Sequence, residues 1–292
     1  MLLARKTLAR KDFIKNFMVL LKTSRPVGWI IGPLVFLIGI YVSGLRLASM
    51  PVSVFVQLAL LSFPASLLVY GINDVYDYDT DRINPRKGSV EGGFLQKKYH
   101  KMILRISIAI AAMLLLSSVF AFNIGNLFAM MIFLFLTISY SARPLRLKEM
   151  PVIDSLSNGL MFLSCFAVGY SYNHSLLYIP VSLYFVALCV AGVHALGTVM
   201  DCKYDLISRQ KTFSTVFGKR AAALFAFTMF ALTLIFGMQT LVLNYYLTLC
   251  ALLSLMVFFF PMENVAKFSF KMVFAGFIIT VVIFLCVNFR IF

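Results

Sequence analysis

Long apolar runs alternate along the chain with short, mostly basic connections. Runs long enough to cross about 30 Å of hydrocarbon, roughly 20 residues rising 1.5 Å each, lie at 26–43, 51–72, 102–122, 125–140, 151–172, 175–199, 220–238, 240–261 and 270–290. This pattern predicts an all-α polytopic membrane protein with nine transmembrane helices in one bundle. The connections around Arg46, Asn123, Asn173 and Gln239 are short, which makes sequential helices antiparallel neighbours. On this reading residues 1–292 form a single membrane-embedded domain.

Composition strengthens that picture. Of 292 residues 61% are hydrophobic and 13% charged, with a mean hydropathy of +0.93, whereas a soluble domain carries about 25% charged residues. The 26 Lys and Arg outnumber the 11 Asp and Glu, for a net charge of +15. Such a charge first brings nucleic acid to mind, but there is too little polar surface to keep these apolar segments soluble. Instead, 24 of the 26 basic residues fall before Arg25 inclusive or in the segments 73–105, 141–150, 200–220 and 262–271. The excess of positive charge marks those segments as cytoplasmic. The N-terminus is then inside and the C-terminus outside, in a cell or inner membrane. Residues 1–24 are basic and lack a signal-peptide pattern; they read as a retained cytoplasmic segment, amphipathic on the membrane surface. The five cysteines are odd in number and show no metal-ligand spacing, so neither a disulfide framework nor a zinc site is indicated.

The acids are the rarer class, and six of the eleven stand in two clusters that each follow an apolar run on the basic side. The first reads Asn73-Asp74-Val75-Tyr76-Asp77-Tyr78-Asp79-Thr80-Asp81. If the preceding helix continues through it, Asn73, Asp77 and Asp81 stack at i, i+4 and i+8, with Asp74 beside them. The second, 127 positions on, holds Asp201 and Asp205 at i, i+4, with His194 seven residues earlier on about the same face. The spacing hints at two matched four-helix halves plus one extra helix. Carboxylates this close do not all stay ionised without counter-charge. Oxygen-only faces flanked by cations suit Mg²⁺, which binds few protein ligands and fills its shell with water and phosphate oxygens. The expected ligand is a diphosphate bridged by Mg²⁺ to both faces. The bland alternative is a pair of solvated loops, and a different class of function is a cation-coupled transporter of an anionic lipid. A non-catalytic membrane scaffold is a third.

The same residues resemble the signatures of the UbiA superfamily of intramembrane prenyltransferases. Asn73, Asp74, Asp77 and Asp81 match N-D-x-x-D-x-x-x-D, and Asp201 and Asp205 match D-x-x-x-D, followed by Lys211, Thr212 and Gly218. Tyr140-Ser141-Ala142-Arg143-Pro144-Leu145-Arg146-Leu147-Lys148, with Pro151, Asp154, Asn158 and Gly159 after it, is similar to the family's Y-S-x-P-P-L-R-L-K loop, and Ser24-Arg25-Pro26 also fits. The resemblance covers residues 24 to about 220 and implies a nine-helix fold and Mg²⁺-dependent transfer of a prenyl group. It implies that Asn73, Asp77, Asp81, Asp201 and Asp205 hold the metal, with Asp74 a ligand or a support. Arg25, Arg86, Lys87, Tyr140, Arg146, Lys148 and Lys211 become the candidates to contact diphosphate oxygens. Asp77, Asp81, Asp201, Asp205 and His194 are the candidate catalytic residues, His194 as proton acceptor, as an acceptor-orienting group or simply as a packing histidine.

Where quinone-type members read N-R-P-x-R-P-x-x-S-G, this chain reads Asn84-Pro85-Arg86-Lys87-Gly88-Ser89-Val90-Glu91-Gly92. That stretch, and His194-Ala195-Leu196-Gly197 before the second Asp pair, look more like the branch that elongates lycopene. The usual acidic residue and glycine after the second pair are replaced by Leu206-Ile207-Ser208-Arg209-Gln210. A carotenoid or similar polyene acceptor therefore stands beside an aromatic quinone precursor or another lipid acceptor. In either case the partners are an isoprenoid diphosphate, a lipophilic acceptor and the bilayer. An allylic cation formed by loss of diphosphate would be lined by aromatic faces, with Tyr70, Tyr76 and Tyr140 nearest the motifs, and transfer would end by proton loss or addition of water.

Overall fold

The computed structural model describes residues 2–83 and 94–289, with side chains for 13–83 and 94–287. In chain order the α-helices are α1 (Leu2–Thr23), α2 (Ile31–Val42), α3 (Val52–Leu60), α4 (Phe63–Tyr76), α5 (Tyr78–Asp81), α6 (His100–Val119), α7 (Ile124–Ser141), α8 (Ile153–Tyr170), α9 (Val181–Ile207), α10 (Phe213–Phe217), α11 (Lys219–Phe236), α12 (Leu241–Phe259) and α13 (Glu263–Phe289). No strand occurs among the described residues.

Local chemistry sets many of the boundaries. Asn123 caps α7 by accepting the Asn126 amide at 3.1 Å, and Thr240 caps α12 by accepting the Leu243 amide at 3.2 Å, each satisfying a backbone donor that has no partner inside the helix. Thr212 and Thr215 close a capping box on α10. Pro26 opens a single 3-10 turn, Pro26–Ile30, that separates α1 from α2, and Arg25 before it adopts a left-handed conformation with φ 48°. The two helical stretches are bent by 64°, so the basic N-terminal segment is helical and sharply angled to α2.

Seven helical stretches are long and apolar enough to cross a membrane, or eight if the bent pair at 13–42 counts as one. The protein is an all-helical integral membrane protein, and each of these stretches overlaps one of the apolar runs. The fifth run, 151–172, becomes α8, which is not among those stretches. Its first turns carry Asp154, Ser155, Ser157 and Asn158, and most of its surface is buried by other helices rather than by lipid.

Two apolar cores fill the bundle. Residues from Val35 to Leu183, on α2, α3, α4, α6, α7 and α8 with the start of α9, form one. Residues from Cys189 to Val273, on α9 to α13, form the other. α9 belongs to both, and α13 packs back on α2. α2 and α8 cross at glycines on each side: a Cβ on Gly39 would strike the Phe166 carbonyl, and one on Gly169 the Phe36 carbonyl. Small residues allow this backbone approach where little hydrophobic force drives helices together in lipid. At the end of the bundle away from the acidic motifs, buried Gln57 donates to Asn126 Oδ1 at 2.8 Å and to Ser118 Oγ at 3.0 Å, while Asn126 donates to the Val168 carbonyl at 2.9 Å. These bonds join α3, α6, α7 and α8.

Candidate active site

The other end of the bundle collects the motif residues. α4 stops at Asp77, whose φ of −98° and ψ of 8° leave helical geometry, and α5 resumes at Tyr78. A continuous helix is therefore not what holds the first cluster. The Asp77 amide nevertheless donates to the Asn73 carbonyl at 2.9 Å, and the Asp81 amide to the Asp77 carbonyl at 2.8 Å. These two i→i−4 bonds keep Asn73, Asp77 and Asp81 one turn apart across the break. Asn73 Nδ2 donates to Ser141 Oγ at 3.1 Å, tying the motif to the end of α7.

The cations expected for diphosphate stand on these carboxylates. Arg25 Nη2 lies 2.9 Å from Asp74 Oδ1, and its guanidinium carbon is 4.2 Å from the centre of the Tyr70 ring. Arg146 Nη2 reaches Asp77 Oδ1 at 3.3 Å while its Nη1 donates to the Tyr76 carbonyl at 3.2 Å and its Nε lies 2.6 Å from Glu149 Oε1. Lys148 Nζ pairs with the same Asp77 oxygen. Burial pushes the Lys148 ammonium below the ordinary lysine range, opposed by the Asp77 carboxylate. Among the described residues, four of the five non-glycine residues with positive φ cluster around these loops: Arg25, Arg146, Val152 and Arg209. Left-handed backbone costs about 1–3 kcal/mol per residue and is retained where the surroundings over-determine it; at Arg25 and Arg146 it directs the guanidinium onto Asp74 and Asp77.

The second cluster lies on α9, with Asp205 buried and Asp201 half-buried. Thr212 Oγ1 donates to Asp205 Oδ2 at 3.2 Å. Gln210 Nε2 donates to Thr80 Oγ1 at 3.0 Å, which joins the loop after α9 to α5 and so brings the two acidic segments together. Lys211 is exposed and makes no ion pair among the described residues. Arg86 and Lys87 lie outside the described residues.

Tyr140 and His194 meet between the clusters, Tyr140 Oη 2.7 Å from His194 Nε2. Behind the imidazole, Ser155 Oγ is 3.1 Å from Nδ1. Ser155 gives its amide at 2.6 Å and its hydroxyl at 3.1 Å to Asp154 Oδ1, and the Phe213 amide donates to Asp154 Oδ2 at 3.2 Å. Asp154 is wholly buried and was not among the candidate site residues. Its signal was its rarity, an acid at the start of an apolar run in a chain with eleven.

Further along the same faces of α8 and α9 the lining turns apolar. Asn158 is followed one turn later by Phe162, and His194 is preceded one turn earlier by Val190; Phe162 and Val190 line a cavity of about 200 Å³ enclosed by α2, α8, α9, α12 and α13. Its aromatic wall comes from residues such as Phe162, Tyr246 and Phe277. Of the tyrosines expected there, Tyr70 lies under Arg25, Tyr140 sits on His194 and Tyr76 is exposed.

The acidic residues of both segments offer hard oxygen donors, of the kind Mg²⁺ takes, beside the Arg146 and Lys148 cations. Among the described residues, however, no three His, Cys, Asp or Glu side chains converge to hold a metal ion. Asp74 and Asp77 are turned instead to arginine and lysine, which neutralise them. The donor set fits a cation that also draws ligands from a bound phosphate.

The sequence model of the UbiA prenyltransferase family matches residues 33–281. The chain is 33% identical over 208 residues to the C(50) beta-cyclic carotenoids biosynthesis protein LbtBC of a Dietzia species, a match covering 70% of this chain and 47% of that protein. It is 33% identical over 215 residues to a lycopene elongase/hydratase of Halobacterium salinarum, covering 69% of this chain and 72% of that protein. In fold it is similar to a UbiA homologue from Archaeoglobus fulgidus described as bound to DMAPP and Mg²⁺, with a TM-score of 0.65 at 20% identity over 88% of this chain and 98% of that one.

Proposed function

The chain belongs to the UbiA prenyltransferase family, and from that premise we propose that it transfers a prenyl group from an allylic isoprenoid diphosphate to a polyene acceptor such as lycopene. The observation that carries this is the meeting of the two acidic segments through Gln210 and Thr80, while an apolar cavity opens one turn further along α8 and α9, at Phe162 and Val190. A charged head and an apolar chain then each have a place, one at the acidic segments and one in the cavity. The relatives named for lycopene elongation and C(50) carotenoid synthesis support the polyene acceptor.

On this reading Arg25, Arg146 and Lys148 leave or share their carboxylates to take diphosphate oxygens, the arginines in bidentate fashion and the lysine as a point charge. Asn73, Asp77 and Asp81 on one side and Asp201 and Asp205 on the other would hold Mg²⁺. When bound, Mg²⁺ supplies charge that offsets the negative charge growing on the departing diphosphate. Arg86, Lys87 and Lys211 add to the basic surroundings, and Tyr140 and His194 sit where the reacting carbon passes from head-group site to cavity. The packed apolar walls exclude water from the allylic cation, and aromatic faces stabilise it by roughly 0.5–2 kcal/mol each. α8 completes nine helices of one membrane-embedded domain, with two matched halves, the site and N-terminus on the cytoplasmic side and the C-terminus outside. The orientation follows from the 24 basic residues of that face.

Expression in a host that accumulates lycopene tests the acceptor. The expected result is new pigments heavier by one or two prenyl groups. Unchanged lycopene, with the protein in the membrane and the donor present, would count against it.

A further inference from the structure

The contacts around His194 have one consistent direction. An ionised Asp154 is an acceptor only, and its Oδ1 receives both the amide and the hydroxyl of Ser155. Having given its hydrogen to Asp154, Ser155 Oγ faces His194 Nδ1 as an acceptor, so Nδ1 carries the imidazole hydrogen. Nε2 of the neutral ring is then bare and receives the Tyr140 hydroxyl at 2.7 Å. Every hydrogen in the series points toward Asp154, and the Tyr140 oxygen, which also meets the Asn158 side chain, has a second lone pair with which to accept. Tyr140 and His194 are each only half-buried, at the level where α8 and α9 change from polar to apolar lining, whereas Asp154 and Ser155 are wholly buried. The two ends of the series are thus a partly accessible phenol and a sequestered carboxylate.

We propose that Tyr140, His194, Ser155 and Asp154 form a proton relay that accepts the proton released when the prenylated acceptor cation becomes an alkene. The relay rests on the prenyl-transfer reading above. In this step a C–H bond beside the cationic carbon breaks and its electron pair becomes the new C=C π-bond. The proton goes to the Tyr140 oxygen as the original Tyr140 proton moves to His194 Nε2. The imidazolium keeps its Nδ1 hydrogen on Ser155, whose hydroxyl remains on the Asp154 carboxylate, so the new positive charge arises two hydrogen bonds from a buried negative one. Tyr140 is the catalytic residue of the step, and the other three position and polarise it. A site that holds such a relay favours the alkene over the alcohol formed when water captures the same cation.

Asp154 also holds the Phe213 amide, so its substitution disturbs α10 as well. Ser155→Ala removes the hydroxyl link and leaves the residue-155 amide on Asp154. The experiment uses the full chain in lipid nanodiscs with Mg²⁺, dimethylallyl diphosphate and lycopene, and reads kcat, KM for the diphosphate and the alkene-to-alcohol ratio. In Ser155→Ala and Tyr140→Phe, alkene formation should fall by about 10²-fold, the contribution of a positioned general base, with a shift toward alcohol and little change in KM. Ser155→Thr, which keeps the hydroxyl, should recover most of it. Wild-type kcat and product ratio in both variants would overturn the relay, as would equal loss in Ser155→Ala and Ser155→Thr. A wild-type protein that releases no diphosphate and makes no prenylated product would overturn the prenyl-transfer reading and the relay with it.

Discussion

Arg25 and Asp74, 49 residues apart in sequence, form an ion pair of 2.9 Å in which the carboxylate side chain is wholly shielded from solvent and the arginine is 23% exposed. The pair fastens the left-handed bend after α1 to the last turns of α4. Removing one partner takes a close counter-charge from the other, at a cost of about 3–5 kcal/mol for a buried pair. Arg25→Ala should therefore destabilise the protein by an amount toward the lower end of that range, since Arg25 keeps some water. Arg25→Ala combined with Asp74→Ala should cost clearly less than the sum of the single changes. Thermal unfolding of the four proteins in one detergent measures the coupling, and strict additivity would show that the pair does not hold the bend.

Lys148 and Arg146 both address one oxygen of Asp77. If these cations take the diphosphate during turnover, Lys148→Ala should raise KM for the donor by about tenfold or more, the worth of one charge-assisted hydrogen bond. Arg146→Lys should also weaken the donor, because lysine cannot reproduce the contacts made together with the Tyr76 carbonyl and Asp77. Initial rates over a range of donor concentration separate the two constants. A fall in kcat at constant KM would place these residues away from donor binding.

Much of the architecture is legible in the alternation of apolar and basic segments, because hydrocarbon thickness fixes the length of a span. α8 departs from the pattern because it carries Asp154, Ser155 and Asn158 into the bundle. Of the site, the stacking of Asn73, Asp77 and Asp81 could be read from spacing, since local backbone bonds enforce it even where α4 breaks. The partners of those carboxylates could not. Arg146 lies 69 residues from Asp77, and no periodicity encodes a contact made by a loop folding back over another helix. The role of Asp154 is hidden for the same reason: its partner Phe213 lies 59 residues on, and a lone acid has no spacing to read.

Gly39 and Gly169 let α2 and α8 approach until each would-be Cβ meets the other helix's carbonyl oxygen. Gly169→Ala should separate the helices and destabilise the protein by about 1–3 kcal/mol, the usual penalty for overfilling a packed interface. Unfolding in detergent measures the loss. An unchanged midpoint would mean that the crossing has room to relax.

Gln57 and Asn126 are both fully buried and bonded to each other across α3 and α7. Asn126→Leu should cost about 1–3 kcal/mol, because it leaves one buried Gln57 amide hydrogen without its acceptor while the other keeps Ser118 Oγ. Adding Gln57→Leu should recover part of that loss. A double variant less stable than either single would contradict the assignment of this network to mutual satisfaction of polar groups.

The central claim, that the two acidic segments act together on an allylic diphosphate, is tested most directly by diphosphate release. Purified protein in nanodiscs is given dimethylallyl diphosphate and lycopene, with Mg²⁺ or with EDTA, as wild type, Asp77→Asn and Asp201→Asn. The account predicts release coupled to prenylated product in wild type with Mg²⁺, none with EDTA, and a loss of about 10²-fold or more in each variant, the scale for removing a group that stabilises transition-state charge. Full turnover with EDTA, or in either variant, would contradict it.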